Sequence, residues 1–420
     1  MNNLLAFAVA ALLSVSPAFA AEPGSLEDLR ERLSKLEAAA AAAPAAPAKA
    51  EKSGPGWYDK ISVRGYVQLR YNRLLENNEN LKCDQCDKSL GSNGGVFARR
   101  ARLVFSGDAH ERVYIYIQPD LASDASATAP HFAQLRDLYA DLALDAAKEF
   151  RVRVGQSKVP FGFENLQSSQ NRLALDRADP LNSAVSNERD MGAFLYWAPA
   201  PIRKRFSSLV SSGLKGSGDY GVAGVGFYNG QTANKPETND SQHLVARLTY
   251  PFQLEGGQFV EAGVQGYAGR YTPTRNAGVG GGGEFHDRRA AASLVVYPQP
   301  FGFQAEYNFG VGPEYEATTR SIQLKHLQGG YAQVMYMAKL GAHTLTPFVR
   351  GQYYEGGKKH DTDARRYLVR QVEGGAEWQP NKAFELVVLY SHEDRAYEDN
   401  TTRGNRQKGG RLRVQAQVNF

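Results

Sequence analysis

From Ile61 to Phe420 the chain alternates apolar and polar residues with a period of two, and this restricts it to half-exposed β-strands. Ile61, Val63, Val67, Leu69 and Tyr71 alternate with Ser62, Arg64, Tyr66, Gln68 and Arg70. The last segment is cleanest: Leu412, Val414, Ala416, Val418 and Phe420 take one side, and Arg411, Arg413, Gln415, Gln417 and Asn419 the other. Successive strand side chains point to opposite faces, so each segment has one apolar and one polar face. Sixteen such segments are predicted, at 61–72, 97–107, 112–119, 136–144, 149–157, 190–198, 219–229, 242–250, 259–271, 287–298, 301–310, 328–340, 343–354, 367–378, 384–394 and 410–420.

The connections alternate in length: 73–96 long, 108–111 short, 120–135 long, 145–148 short, 158–189 very long. Up-and-down membrane barrels have short periplasmic turns and long external loops. Residues 199–218 break the pattern, either as an insertion or through added pairing over Phe206–Leu214. The mean hydropathy of −0.46 argues against a helical membrane protein, and after residue 20 no run approaches the roughly 18 apolar residues a spanning helix needs. Barrel strands escape that test. A soluble β-sandwich or propeller is the alternative, but polar faces rich in Arg, Gln, Tyr and Glu suit a wet lumen better. The fold expected is all-β, a 16-stranded antiparallel transmembrane barrel over 59–420.

The N-terminus sets the compartment. Leu4 to Val15 is a short apolar stretch before Ala18-Phe19-Ala20, the pattern of an export signal over 1–20, although Met1-Asn2-Asn3 lacks Lys or Arg. Residues 21–37 are expected to hold a short periplasmic helix that Ser25 caps, with Leu26, Leu29, Leu33 and Leu36 spaced as in a coiled-coil seam. Under two heptads is too short to be stable alone. Residues 38–58, rich in Ala, Pro and Gly, are a linker. A C-terminal strand ending in Phe420 fits a bacterial outer-membrane barrel.

With 49 basic and 44 acidic residues, the net charge of +5 gives no general attraction to nucleic acid. Placement is what counts. Parity puts Arg64 and Arg70 on the polar face of the first strand, Arg100 and Arg102 on that of the second, and Arg151 and Arg153 on that of the fifth. Arg247, Arg350, Arg411 and Arg413 join them, whereas Arg99 falls on the lipid side. In a closed barrel the first strand neighbours both the second and the sixteenth, so arginines gather on one wall. A guanidinium stays charged and offers a planar fork of donors to phosphate or carboxylate, and basic rings select anions. Alternatively these arginines solvate the wall and pair with Asp137, Asp141, Glu261 or Glu377. Residues 158–189 are long enough to fold inward as a constriction, with selectivity set near Lys158.

The sequence resembles the phosphate-selective porin O and P family. The resemblance rests on Phe97-Ala-Arg-Arg-Ala-Arg, Leu138-Tyr-Ala-Asp-Leu, Val154-Gly-Gln-Ser-Lys-Val-Pro-Phe-Gly-Phe-Glu, Ser168-Ser169, Asn187-Glu-Arg-Asp-Met-Gly and Phe227-Tyr-Asn-Gly. It implies a homotrimer of sixteen-stranded outer-membrane barrels, each with an arginine ladder leading to a narrow phosphate site. By motif, Arg99, Arg100 and Lys158 match the basic positions and Asp141 an acidic partner; Arg99 enters on the resemblance alone. The function implied is a passive diffusion channel for phosphate, polyphosphate or other small anions. Two alternatives stay open: a general porin without a phosphate site, and a non-conducting barrel serving as anchor, adhesin or surface enzyme.

Cys83 and Cys86, separated by Asp84 and Gln85 in the first long loop, lack the further ligands of a zinc site and are expected to form a disulfide in an oxidising compartment. The eight His are scattered, Gly224-Val-Gly226 and Gly280–Gly283 are not nucleotide loops, and no G-x-S-x-G occurs. No catalytic constellation, metal site or cofactor is read from the chain.

Overall fold

The computed structural model describes residues 56–75, 95–123 and 131–420, with scattered positions between 27 and 38. The expected signal segment, most of the linker, Leu26, Leu29 and Leu36, and Cys83 and Cys86 lie outside the described residues. Residues 1–56 form a unit of their own. In it Glu27, Arg30, Glu31, Leu33, Ser34, Lys35 and Ala38 are helical, and Lys35 meets Glu31 one turn away at 2.8 Å.

The second unit is a closed antiparallel barrel. Its strands are β1 (Ile61–Leu74), β2 (Gly95–His110), β3 (Val113–Ser123), β4 (His131–Ala143), β5 (Phe150–Lys158), β6 (Arg189–Trp197), β7 (Ala223–Tyr228) and β8 (His243–Gln253). They continue as β9 (Phe259–Tyr271), β10 (Phe285–Val296), β11 (Phe301–Glu316) and β12 (Ser321–Tyr336). The last four are β13 (His343–Gly357), β14 (Arg366–Asn381), β15 (Phe384–Glu398) and β16 (Asn405–Asn419). Ala338–Leu340 extends β12 past Met337, because both stretches pair with β13, and the strand number is sixteen. Each strand pairs with its chain neighbours, and β1 pairs with both β2 and β16. No edge remains to seek a partner. At the seam Gly65 and Phe420 exchange backbone hydrogen bonds of 2.7 and 2.9 Å.

The alternation divides the wall as expected for a lipid-facing cylinder. Val63, Leu69, Leu103, Val225, Leu248 and Val372 are exposed outside, while Arg70, Arg350, Arg411 and Arg413 are among the most buried side chains inside. Phe150, Trp197, Tyr250, Phe301, Tyr336 and Trp378 lie outward near the short-turn ends of their strands and form an aromatic girdle. Several strands run beyond the expected bounds at the long-loop end: β11 reaches Glu316, and β12 begins at Ser321 instead of 328.

Two connections fill the bore. Residues 159–188 fold inward, with two short helices, α1 (Phe163–Leu166) and α2 (Asp179–Ala184). Phe161, Leu181 and Val185 pack on Phe194, Tyr196 and Val245 of one wall. Leu173, Ala174 and Leu175 pack on Met335, Phe348 and Leu389 of the opposite wall. The loop therefore crosses the lumen. Residues 199–218 are an insertion with no strand: Ala200–Ser211 forms helix α3, with Pro201 in its first turn and Ile202, Phe206 and Leu209 buried on one face. Leu209 and Leu214 pack with Phe163, Val295 and Tyr297, and Lys215 Nζ meets both carboxylate oxygens of Glu377 at 2.6 and 2.8 Å. The segment closes part of the short-turn mouth.

Candidate functional site

A depression of about 600 Å³ lies between the β2 wall and the inserted loop, and its lining is strongly basic. Nine Lys or Arg side chains line it against four Asp or Glu. β2 supplies Arg99, Arg100 and Arg102, β4 supplies Arg136, and the loop supplies Arg172 and Arg177.

Arg99 reaches this space because β2 is bulged. The register with β1 passes from Gln68 opposite Arg100 directly to Leu69 opposite Ala98. Arg99 is the extra residue, and a bulge re-aims its side chain away from the face that strict alternation assigns. The sequence expectation of a lipid-facing Arg99 is thereby corrected: its side chain is 15% exposed and lies 3.9 Å from Asp176 of the loop.

The arginines differ in how fully they are paired. Asp176 takes Arg70 at 2.9 Å and Arg413 at 2.6 Å. Burial opposes ionisation of Asp176, but Arg70 and Arg413 outweigh it and hold the carboxyl well below the usual range. Arg102 is spent on Asp120 at 2.9 Å and also donates to Tyr66 Oη at 2.8 Å. Arg177 reaches Glu188 at 2.8 Å. Among the described residues, Arg100 forms no ion pair and donates one side-chain hydrogen bond, to Oε1 of Gln68 at 2.8 Å. Nε of Arg99, Arg100 and Arg172 and Nη1 of Arg172 are buried without a hydrogen-bond partner. Buried donors are seldom left so. Arg99, Arg100 and Arg172, adjacent along this space, thus each keep an N–H that no acceptor among the described residues takes, although Arg172 also lies 3.5 Å from Glu188.

The other residues picked out from sequence lie elsewhere. Arg64 sits near the short-turn end, donating to Ser106 Oγ at 2.9 Å. Arg153 grips Asp141 through two bonds of 2.7 and 2.8 Å and stacks over Tyr139 at 4.0 Å. Arg151 pairs with Asp219 at 2.8 Å. In this lower cluster the charges are largely neutralised, as the alternative reading of the wall arginines describes. Lys158 is buried away from the basic space, and its Nζ donates to the carbonyls of Leu166 and Gln167 at 2.8 and 2.7 Å. It ties down the start of the loop. Arg136, Lys358 and Arg365 were missed by sequence reasoning: Arg136 is the extra residue of a bulge within β4, and Lys358 and Arg365 stand in the loop between β13 and β14, places where alternation gives no signal.

Asp141→Asn should free positive charge on Arg153 and Arg151. The expected result is a larger chloride-to-potassium permeability ratio from reversal potentials, with folding weakened by about 1.5–3 kcal/mol for the lost charged hydrogen bonds. An unchanged ratio would show that ions do not pass this cluster.

Comparison with known proteins agrees with this architecture. The description of the phosphate-selective porin O and P family matches residues 79–420. The chain belongs to that family. Among solved structures, this porin superposes on the outer membrane channel DcaP of Acinetobacter baumannii with a TM-score of 0.51 at 15% identity, covering 86% of this chain and 97% of that one. The Salmonella typhi OmpF structure with daunomycin gives 0.52 at 12% identity, covering 87% and 98%. The anion-selective porin from Comamonas acidovorans gives 0.50 at 10% identity, covering 86% and 99%. At such identities the likeness is one of fold. No curated protein matches. Family and barrel together make the chain an outer-membrane porin.

Proposed function

We propose that this porin is a passive, anion-preferring diffusion channel in which phosphate or a related small anion pauses at Arg99, Arg100 and Arg172. The observation that carries the reading is the gathering of these three guanidinium groups on one basic space, with Arg100 in no ion pair among the described residues. Such donors replace part of the hydration shell of a phosphate oxygen. The partly paired arginines beside them keep the space positive while Asp120, Asp176 and Glu188 keep binding weak enough for release. Membership of a family described as phosphate-selective supports the same solute, and an anion-selective porin among the similar folds supports the same sign of charge. Export by a cleaved signal, a disulfide between Cys83 and Cys86 and a trimeric assembly, with the helix at 21–37 aiding subunits joined elsewhere, belong to this proposal.

Purified protein in a planar bilayer tests it. Under a potassium chloride gradient the reversal potential should show chloride preference, and millimolar phosphate should reduce chloride current. Potassium preference would overturn the proposal. Chloride preference without phosphate competition would favour a general porin, and no ohmic current at all a non-conducting barrel.

A further inference from the structure

The outer wall of β10–β14 breaks the rule that a lipid-facing surface is smooth and uncharged. Arg288 on β10 and Arg370 on β14 are exposed there, each between inward neighbours such as Arg289 and Gln371. Among the described residues neither forms an ion pair; the nearest polar contact of Arg288 is His286 Nδ1 at 3.4 Å. A depression of about 1150 Å³ runs between Arg288 and Arg366, with His326 and Leu324 in its wall. Glu314 and Glu355 stand at its upper side and approach Arg366 at 3.6 and 3.8 Å. Directly adjoining it is an apolar groove of about 710 Å³ floored by Ala292, Ala305, Gly330, Ala332 and Gly351 and bounded by Arg370. Small residues open this groove, since a side-chain carbon added at Gly351 meets nothing within 4 Å.

The height of the two arginines decides what can sit there. Arg370 is eight residues from the girdle residue Trp378, and Arg288 eight from the end of its strand at Val296. Eight residues of a strand tilted by roughly 40° rise about 20 Å. Both cations therefore lie near the upper border of an apolar band about 25 Å tall, at the level of outer-leaflet headgroups. Unpaired guanidinium groups there suit phosphate monoesters, and the groove below them suits acyl chains.

The geometry points to a binding site on this wall for a phosphorylated, multiply acylated lipid of the outer leaflet, with its phosphates on Arg288 and Arg370 and one chain along the Ala292–Ala332 groove. This site is separate from the bore and does not depend on which ion the bore prefers.

The test uses the full-length protein in detergent and two probes, a bis-phosphorylated hexa-acyl glucosamine disaccharide and the same lipid stripped of phosphate, followed by native mass spectrometry and fluorescence titration. The phosphorylated lipid should bind at least tenfold more tightly than its stripped form. Arg288→Ala/Arg370→Ala should remove most of that difference and leave chloride conductance unchanged. Ala332→Phe, which keeps both charges, should weaken binding of the hexa-acyl lipid severalfold, and inorganic phosphate should not displace it. Equal affinity for both lipids, undiminished binding by the double variant, or displacement by inorganic phosphate would each overturn the proposal. So would a change in oligomer size on Ala332→Phe, which would make the wall a contact between copies of this chain.

Discussion

Replacing Arg100 with Ala is expected to weaken phosphate block of chloride current about tenfold or more while the pore still conducts. Hydrogen bonds to charged groups contribute about 1.5–3 kcal/mol each, and about 1.4 kcal/mol is a factor of ten in affinity. Arg100 is the side chain for which this loss should be clearest, because its charge is tied to no carboxylate among the described residues. Arg102, whose guanidinium lies 2.9 Å from Asp120, should behave differently. Its removal leaves Asp120 facing the basic space with Arg136 as its remaining ion-pair partner, at 3.9 Å, so the main result should be reduced anion preference together with poorer folding. Arg100→Lys separates charge from shape: it should retain chloride preference but restore little phosphate block, since an ammonium lacks the planar fork. Concentration–block curves in symmetrical chloride measure all three. If Arg100→Ala leaves the curve unmoved, phosphate does not pause there.

The second large effect is expected from the loop. Asp176→Asn removes the carboxylate that Arg70 and Arg413 share, and breaking one side of a buried ion pair costs about 3–5 kcal/mol. Asp179, which Lys358 and Arg395 hold at 2.6 and 2.9 Å, is the other main polar anchor. With both replaced by Asn, residues 159–188 should leave the lumen for part of the time, giving larger and noisier single-channel conductance and tryptic cleavage at Arg172 or Arg177. A steady conductance in the double variant would show that the apolar contacts alone fix the loop. The same anchors predict pH behaviour. Burial opposes the charge on each Asp, but the neighbouring cations, Arg70 and Arg413 for one and Arg395 and Lys358 for the other, depress both carboxyls well below their ordinary value. A depressed folded pKa gives stability that is present above the unfolded value and lost only as pH falls through the folded one. Conductance should therefore stay level from neutrality through about pH 4, where a free Asp titrates.

Much of this architecture was legible in the sequence wherever a wall separates lipid from water. There the two faces of a strand demand opposite chemistry, and the side of Leu412, Arg413 and Val414 could be assigned residue by residue. Above the membrane both faces are wet, the demand disappears, and Gly312–Glu316 carries no alternation although it pairs as a strand with Ser321–Lys325. Inside the bore, Phe194, Met335 and Leu389 face inward because a loop covers them, which a strand-by-strand reading cannot anticipate. The same holds for Arg172, whose role comes from where the loop lands. Residues 199–218 carried a readable start in Pro199-Ala200-Pro201, yet only tertiary packing places Lys215 on Glu377.

The bulge on β2 has a consequence of its own. A regular strand delivers one side chain to a given face every 6.8 Å or so; slipping in a single residue lets Arg99 and its immediate neighbour share a face and roughly doubles the local charge density without lengthening the wall. Deleting any one residue between Ala98 and Ala101 would straighten the ladder. One cation would then be lost or turned into the hydrocarbon, so in this chain a one-residue deletion would change the charge of that wall as readily as a substitution.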